Sequence, residues 1–225
     1  METQIAHISS LIGDPVRSRI LWLLLDGRAY TATELAASAD TSPQNISMHL
    51  GKLVQAELLA VESQGRHRYY RFARQEVAYA IEALANLVPG TQRPGATPHE
   101  ADSAIKYCRT CYDHLAGRMG VLITEHLQKE KILRLSDQAY ALLPGATAFF
   151  EGFGIDPAAL QLQRRSFARP CLDWSERKYH LSGSLGAALL GYMLEQDWLR
   201  RTLHSRVIVV TAKGRKALYQ HFNIS

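Results

Sequence analysis

The chain has 225 residues, of which 47% are hydrophobic, enough to bury one large or two small cores. Its formal charge of +5 suits a polyanionic partner. Three cysteines exclude a disulfide framework, and no apolar run approaches the ~18 residues that a membrane-spanning helix needs. The opening Met1-Glu-Thr-Gln has neither the charged nor the apolar region of a secretory signal. A cytoplasmic protein with reduced thiols and no membrane partner is expected.

Thr3 to Ile12 predicts a short helix, with Ile5, Ile8 and Leu11 on one side. Gly13-Asp14-Pro15 ends it and caps a second helix, which carries Val16, Ile20, Leu23 and Leu24 and closes at Gly27. Thr31-Ala-Thr-Glu34 matches a capping box, so a third helix starts there with Leu35, Ala36 and Ala39 on its inner face. Ser42-Pro43 pairs an N-cap residue with a proline at the first helical position. Ile46, Leu50, Leu53 and Val54 follow as the stripe of a half-buried helix. The opposite face carries Ser42, Gln44, Asn45, Ser47, Met48, His49 and Lys52, side chains that read base edges or phosphates. Leu58 to Val61 and Arg66 to Phe72 predict two strands around Ser63-Gln-Gly65, the second bearing Arg66, Arg68 and Arg71. Helix, turn, helix and basic hairpin is the order of a winged helix-turn-helix, a reader of double-stranded DNA.

The runs Glu34-Leu-Ala, Ser42-Pro-Gln-Asn-Ile-Ser-Met-His-Leu-Gly-Lys-Leu53 and Gly65-Arg-His-Arg-Tyr-Tyr-Arg71 together resemble the ArsR-type (arsenic-repressor-like) bacterial regulators. The resemblance covers roughly residues 3 to 88. It implies a homodimeric repressor that leaves its DNA operator when an effector, often a metal ion, binds. It also implies that the last helix, Gln75 to Val88, pairs with the first across a two-fold axis. Ile5, Ile8 and Leu11 would then meet Val77, Ile81 and Leu84. The chain departs from two known metal sites of the family: Ala36-Ala37-Ser38 holds no thiol where one site has cysteines, and the last helix has no histidine. Any sensing is expected elsewhere.

The expected organisation is α+β and mostly helical. A winged-helix domain at 1–88 precedes a Pro/Gly-rich linker at 89–101 and a C-terminal sensor domain at 102–225. Residues 1–88 carry 8 basic and 9 acidic residues, and residues 102–225 carry 17 and 11, so the excess charge lies outside the DNA-reading part. Within Thr41 to Arg74 the counts are 5 basic and 2 acidic, so the reading surface is locally positive. In the second domain, the stripe from Ile105 to Leu127 predicts one long helix, broken near Gly117 or Gly120. Leu135 to Leu143 and Thr147 to Phe153 predict short helices, and an irregular stretch starts at Arg169-Pro170. Leu185 to Met193 predicts another helix, followed by strands at Trp198 to Arg201 and Arg206 to Val210 and a final helix from Ala212. This order suggests a degenerate second winged helix.

A repeat runs through that domain. Cys111-Tyr-Asp113-His114-Leu-Ala-Gly117-Arg-Met-Gly120 is one copy; Cys171-Leu-Asp173, six residues, then His180-Leu-Ser-Gly183-Ser-Leu-Gly186 is the other. Cys111, His114, Cys171 and His180, with Asp113 and Asp173 as ligands or supports, have the donor types of a zinc, cadmium or lead site. On a helix, Cys111 and His114 would lie one turn apart. Longer ArsR-like regulators with such an extension are assigned to metal response, and the resemblance implies the same here. The residues leave other readings open: buried core thiols, a thiol-redox switch that ignores the histidines, or a pocket for an organic ligand. No phosphate loop and no Gly-x-Ser-x-Gly is present; composition leaves a Cys/His hydrolase open, but the DNA-reading unit makes a regulator with no catalytic residue the simpler expectation.

Overall fold

The structure is a computed structural model that describes residues 1–88, 100–203 and 205–225, with backbone only for 100–103. The expected linker Pro89 to Pro98 lies outside the described residues. The described residues gather into two compact units, Met1–Ala85 and Asn86–Ser225.

The first unit runs α1 (Glu2–Ile12), α2 (Pro15–Leu23), a short 3-10 turn (Leu24–Asp26), β1 (Tyr30–Thr31), α3 (Ala32–Ala39), α4 (Pro43–Gln55), β2 (Leu59–Gln64), β3 (His67–Phe72) and α5 (Gln75–Leu87). The starts of α2, α3 and α4 follow from local caps. Asp14 accepts hydrogen bonds from the Val16 and Arg17 backbone N–H groups, both 3.0 Å, before Pro15 opens α2. Thr31 and Glu34 close the reciprocal capping box of α3, and Ser42 with Pro43 starts α4. The antiparallel sheet has the order β1-β3-β2, so the third strand stitches the hairpin to the entry of the helix-turn-helix. Ile20, Leu21, Leu24, Leu35, Ile46, Leu50, Leu53 and Leu59 form the core.

Two expectations change here. His49 does not lie on the reading face. It is buried, its Nδ1 3.5 Å from Asp14 Oδ1, because position 49 precedes the buried Leu50 and turns toward α2. The predicted dimer stripe also divides. Leu11, Val77 and Ile81 are buried in the unit's own core, Ile8 is half-buried, and Ile5 and Leu84 stand 60% and 44% exposed. Helical spacing reveals an apolar stripe without saying which surface covers it.

The second unit departs further from expectation. It contains α6 (Glu100–Tyr107), β4 (Arg109–Cys111), β5 (His114–Ala116), α7 (Gly117–Lys129), β6 (Leu133–Ser136), β7 (Ala139–Leu142), α8 (Ala146–Glu151) and α9 (Pro157–Gln161). There follow β8 (Arg169–Leu172), β9 (Tyr179–Ser182), α10 (Gly183–Glu195), β10 (Leu199–Arg201), β11 (Ile208–Val210) and α11 (Ala212–Phe222). The long helix expected from Ile105 is interrupted by the β4-β5 hairpin, Leu135 to Leu143 is largely strand, and the stretch after Arg169 is a second hairpin. In place of one degenerate winged helix, the order hairpin, helix, hairpin, helix occurs twice, with α7 and α10 both 13 residues long. The expected α10, final strands and α11 form at the predicted positions.

The copies interlock. Helix α7 packs against β9 of the other copy, and α10 against β5. Thr124 Oγ1 on α7 accepts the Leu181 N–H of β9 at 2.8 Å. Leu115, Met119, Ile123, Leu127, Leu181, Leu185, Leu189 and Met193 share one core.

Candidate metal centre and nucleic-acid interface

In each hairpin of the repeat, the cysteine sits directly across from the histidine: Cys111 opposite His114, and Cys171 opposite His180. The one-turn helical spacing expected for Cys111 and His114 is replaced by a cross-strand pair. The same repeat supplies the glycines that bring the hairpins together. A Cβ on Gly120 would lie 2.5 Å from the Leu115 carbonyl oxygen and 3.5 Å from His180 Cβ. One on Gly186 would lie 2.5 Å from the Leu181 oxygen and 3.3 Å from His114 Cβ. Each glycine therefore makes room for its own hairpin and for the other copy's histidine. Gly117 and Gly183 begin the helices at φ +76° and +86°, a turn that favours glycine.

The four side chains converge. One ligand atom from each of Cys111, His114, Cys171 and His180 lies within 4.8 Å of all the others. The two sulfurs are 4.0 Å apart and the two Nε2 atoms 3.2 Å apart. Both histidines turn Nδ1 toward a carboxylate. His180 Nδ1 is 3.3 Å from Asp173 Oδ2, a charge contact without hydrogen-bond alignment, and His114 Nδ1 is 3.5 Å from Asp113 Oδ1. A carboxylate at Nδ1 favours the proton there and leaves the Nε2 lone pair free. At 3.2 Å the two Nε2 atoms are placed to share a proton, one imidazole donating to the other, or to hold a metal ion between them. Neither aspartate belongs to the cluster itself; each supports an imidazole.

The supports are unequal. Asp173 is fully buried and accepts from Arg109 Nη2 at 2.9 Å, the Gly117 N–H at 2.7 Å and the Ser175 hydroxyl at 2.6 Å. Burial would raise its pKa, but His180, Arg109 and Ser175 outweigh that and hold the carboxyl well below the usual range. Burial would lower His180, yet Asp173 and Cys111 raise it. The Cys111 thiol is pushed up to about 11, first by its hydrogen bond with Cys171 and then by burial, while His114 and His180 pull the other way. Cys108 is buried in the core with its thiol raised by burial to about 12, outside the cluster. Arg109 is a residue that sequence reasoning does not single out. The signal for it is its place two residues before Cys111, matched by Arg169 two before Cys171.

In the first unit, Ser42, Gln44, Asn45, Ser47, Met48 and Lys52 are exposed along α4. Arg66 and Arg68 are exposed at and beside the hairpin tip, and Arg71 lies 3.5 Å from Glu62.

Comparison with known proteins settles the family. The family described as a helix-turn-helix domain matches residues 12–62. The chain is 42% identical over 224 residues to the HTH-type transcriptional regulator YdfF of Bacillus subtilis, a match spanning 100% of this chain and 99% of that one. It is 34% identical over 87 residues to the HTH-type transcriptional regulator CmtR of Mycobacterium tuberculosis, 39% of this chain and 73% of that one.

The chain belongs to the ArsR-type helix-turn-helix transcriptional regulators.

This ArsR-type regulator is a DNA-binding protein of transcription and not an enzyme. Among solved structures, the cadmium metal-sensor CmtR of M. tuberculosis aligns at 32% identity and a TM-score of 0.33, covering 42% of this chain and 98% of that one. Among the described residues no helix is long and apolar enough to cross a membrane.

Proposed function

We propose that the protein is a homodimeric, cytoplasmic repressor that a soft or borderline metal ion of the zinc, cadmium or lead class releases from its operator. Cys111, His114, Cys171 and His180 would hold the ion. The convergence of these four side chains from two hairpins carries the reading. Zinc–sulfur bonds of ~2.3 Å and zinc–nitrogen bonds of ~2.05 Å at tetrahedral angles set the donors about 3.8 Å and about 3.3 Å apart. The observed sulfur pair at 4.0 Å and nitrogen pair at 3.2 Å are close to those separations. Two thiolates with two imidazoles suit this class of ion and not magnesium or calcium. A bound ion would supply four bonds that tie one copy of the repeat to the other.

The exposed face of α4 would enter the major groove, with Arg66, Arg68 and Arg71 on the phosphates or in the minor groove. The redox alternative also uses the 4.0 Å sulfur pair. A thiol raised to about 11 must lose its proton before it attacks an oxidant or binds a metal, so it is the two imidazoles beside the sulfurs that favour metal capture. The cavity beside the cluster, between α7 and α10, measures about 10 Å³, room for one water and not for an organic ligand.

The test is a cadmium titration of the full chain in the presence and absence of operator DNA. Cadmium should produce an ultraviolet thiolate-to-metal band and weaken DNA binding. By linkage, DNA should weaken cadmium binding by the same factor. His114→Ala and His180→Ala should weaken cadmium binding. An absent band, or DNA affinity indifferent to cadmium while peroxide abolishes it, sinks the metal reading.

A further inference from the structure

The two halves of the centre are held differently, which gives it an inner and an outer edge. On the inner edge, Asp173, Arg109 and His180 are each at most 1% exposed, and Arg109 stacks over Trp174 at 4.6 Å. On the outer edge, Asp113 and Arg165 have side chains 39% and 43% exposed. Arg165 grips the Asp113 carboxylate with both terminal nitrogens, Nη1 to Oδ2 at 2.5 Å and Nη2 to Oδ1 at 3.2 Å. The same Oδ1 faces His114 Nδ1.

Arg165 comes from neither repeat hairpin. It lies in the connection between α9 and β8, and the next two residues are fastened to the start of α10. The Ser166 and Phe167 carbonyls accept the Ser184 and Leu185 N–H groups, both at 2.9 Å. A Cβ on Gly183 would lie 2.5 Å from the Phe167 oxygen, so this seam has no slack. The backbone that carries Arg165 is thus fixed to the scaffold of the centre, while its guanidinium reaches across the edge open to water.

We propose that Arg165 is a positioning residue of the metal centre: by clamping Asp113 it orients His114 and governs how fast a bound ion is lost. The inference rests on the four-residue metal reading. An ion departs by breaking its bonds to one half first. His180 faces a fully buried carboxylate that is itself fixed by five hydrogen bonds from Arg109, Gly117, Ser175 and Glu176, whereas His114 faces one half-exposed carboxylate fixed by one arginine. The Cys111–His114 half is therefore the one that opens. Without Arg165 the Asp113 side chain is free to turn to water and His114 loses its orientation. The bidentate grip matters because a guanidinium fixes both carboxylate oxygens, which an ammonium cannot.

The experiment loads the full chain with cadmium and follows decay of the thiolate-to-metal absorbance after adding excess EDTA. Arg165→Ala should show the wild-type band before chelation and lose the ion about 10-fold faster. Asp113→Asn should accelerate loss to a similar extent, and Arg165→Lys should fall between Ala and wild type. Arg165 is exposed, so the variants keep the fold, checked by far-ultraviolet circular dichroism. Wild-type loss kinetics in Arg165→Ala overturn the proposal. So does acceleration in Asp113→Asn alone, since Asp113 would then act without its clamp. A wild-type chain that takes up no cadmium overturns the metal reading itself, and this inference with it.

Discussion

Asp14 shows how one residue links local chemistry to packing. Its carboxylate caps α2, pairs with Arg17 at 3.5 Å and faces buried His49. Arg17 in turn donates to the Leu11 carbonyl at 2.6 Å, which ties the end of α1 to α2. The Arg17 backbone N–H holds the Asp14 carboxyl below its ordinary range, with the Arg17 and His49 charges assisting. A carboxyl whose folded pKa is depressed stabilises the fold above its unfolded value, near ~4, and loses that contribution as pH falls through the folded value. Asp14→Ala should therefore cost about 1 kcal/mol at pH 7, the usual worth of an N-cap, and progressively less below pH ~4. Urea denaturation of both proteins across that range measures the gap; a gap that stays constant in acid contradicts the assignment. The capping role is legible in Gly13-Asp14-Pro15. The contact with His49 is not, since that pairing depends on how α4 crosses α2.

At the scale of elements, the repeat is a matter of fit. The Gly120 and Gly186 positions are lined by backbone carbonyls that cannot retreat, so adding a methyl there pushes a hairpin off its helix. Gly120→Ala should destabilise the second unit by about 1–3 kcal/mol, as overpacked cores do. Gly191 lies mid-helix on α10 with nothing within 4 Å of a Cβ. Gly191→Ala should instead stabilise by about 0.5–1 kcal/mol through helix propensity. Thermal unfolding of the two variants should move in opposite directions; matching shifts would mean that the hairpin does not press on Gly120. The same fit explains the elements whose type differs from expectation. Strands β4 and β5 have three residues each, and β5 is buried throughout. Such short strands show no alternation, so their apolar residues fall into step with the flanking helices and read as one long stripe.

At the scale of the whole molecule, the proposed dimer calls for an uncovered apolar face. Ile5 on α1 and Leu84 and Leu87 on α5 remain exposed, on the two helices that the family resemblance pairs across the axis. Leu84→Lys should yield folded monomers in sedimentation and weaken operator binding, because it places an unpaired charge in an apolar contact. Ile81→Lys should unfold the first unit instead, since Ile81 already belongs to its core. A Leu84→Lys protein that stays dimeric at micromolar concentration excludes this face as the interface.

What the sequence determined by itself is the element order of the first unit and the donor types gathered in the second. Caps, proline positions and helical stripes act between residues a few places apart, so the winged helix is legible in the order of its residues alone. The residue types of the candidate centre are legible in the repeat for the same reason. Which of those residues meet is decided only in three dimensions. Cys111 and Cys171 are 60 positions apart, and their approach depends on two hairpins each packing against the other copy's helix. The burial of Leu11, Val77 and Ile81 and the clamp of Arg165 on Asp113 are of the same kind. A side chain's neighbours across a core follow from the relative placement of whole elements, and no short stretch of chain contains that placement.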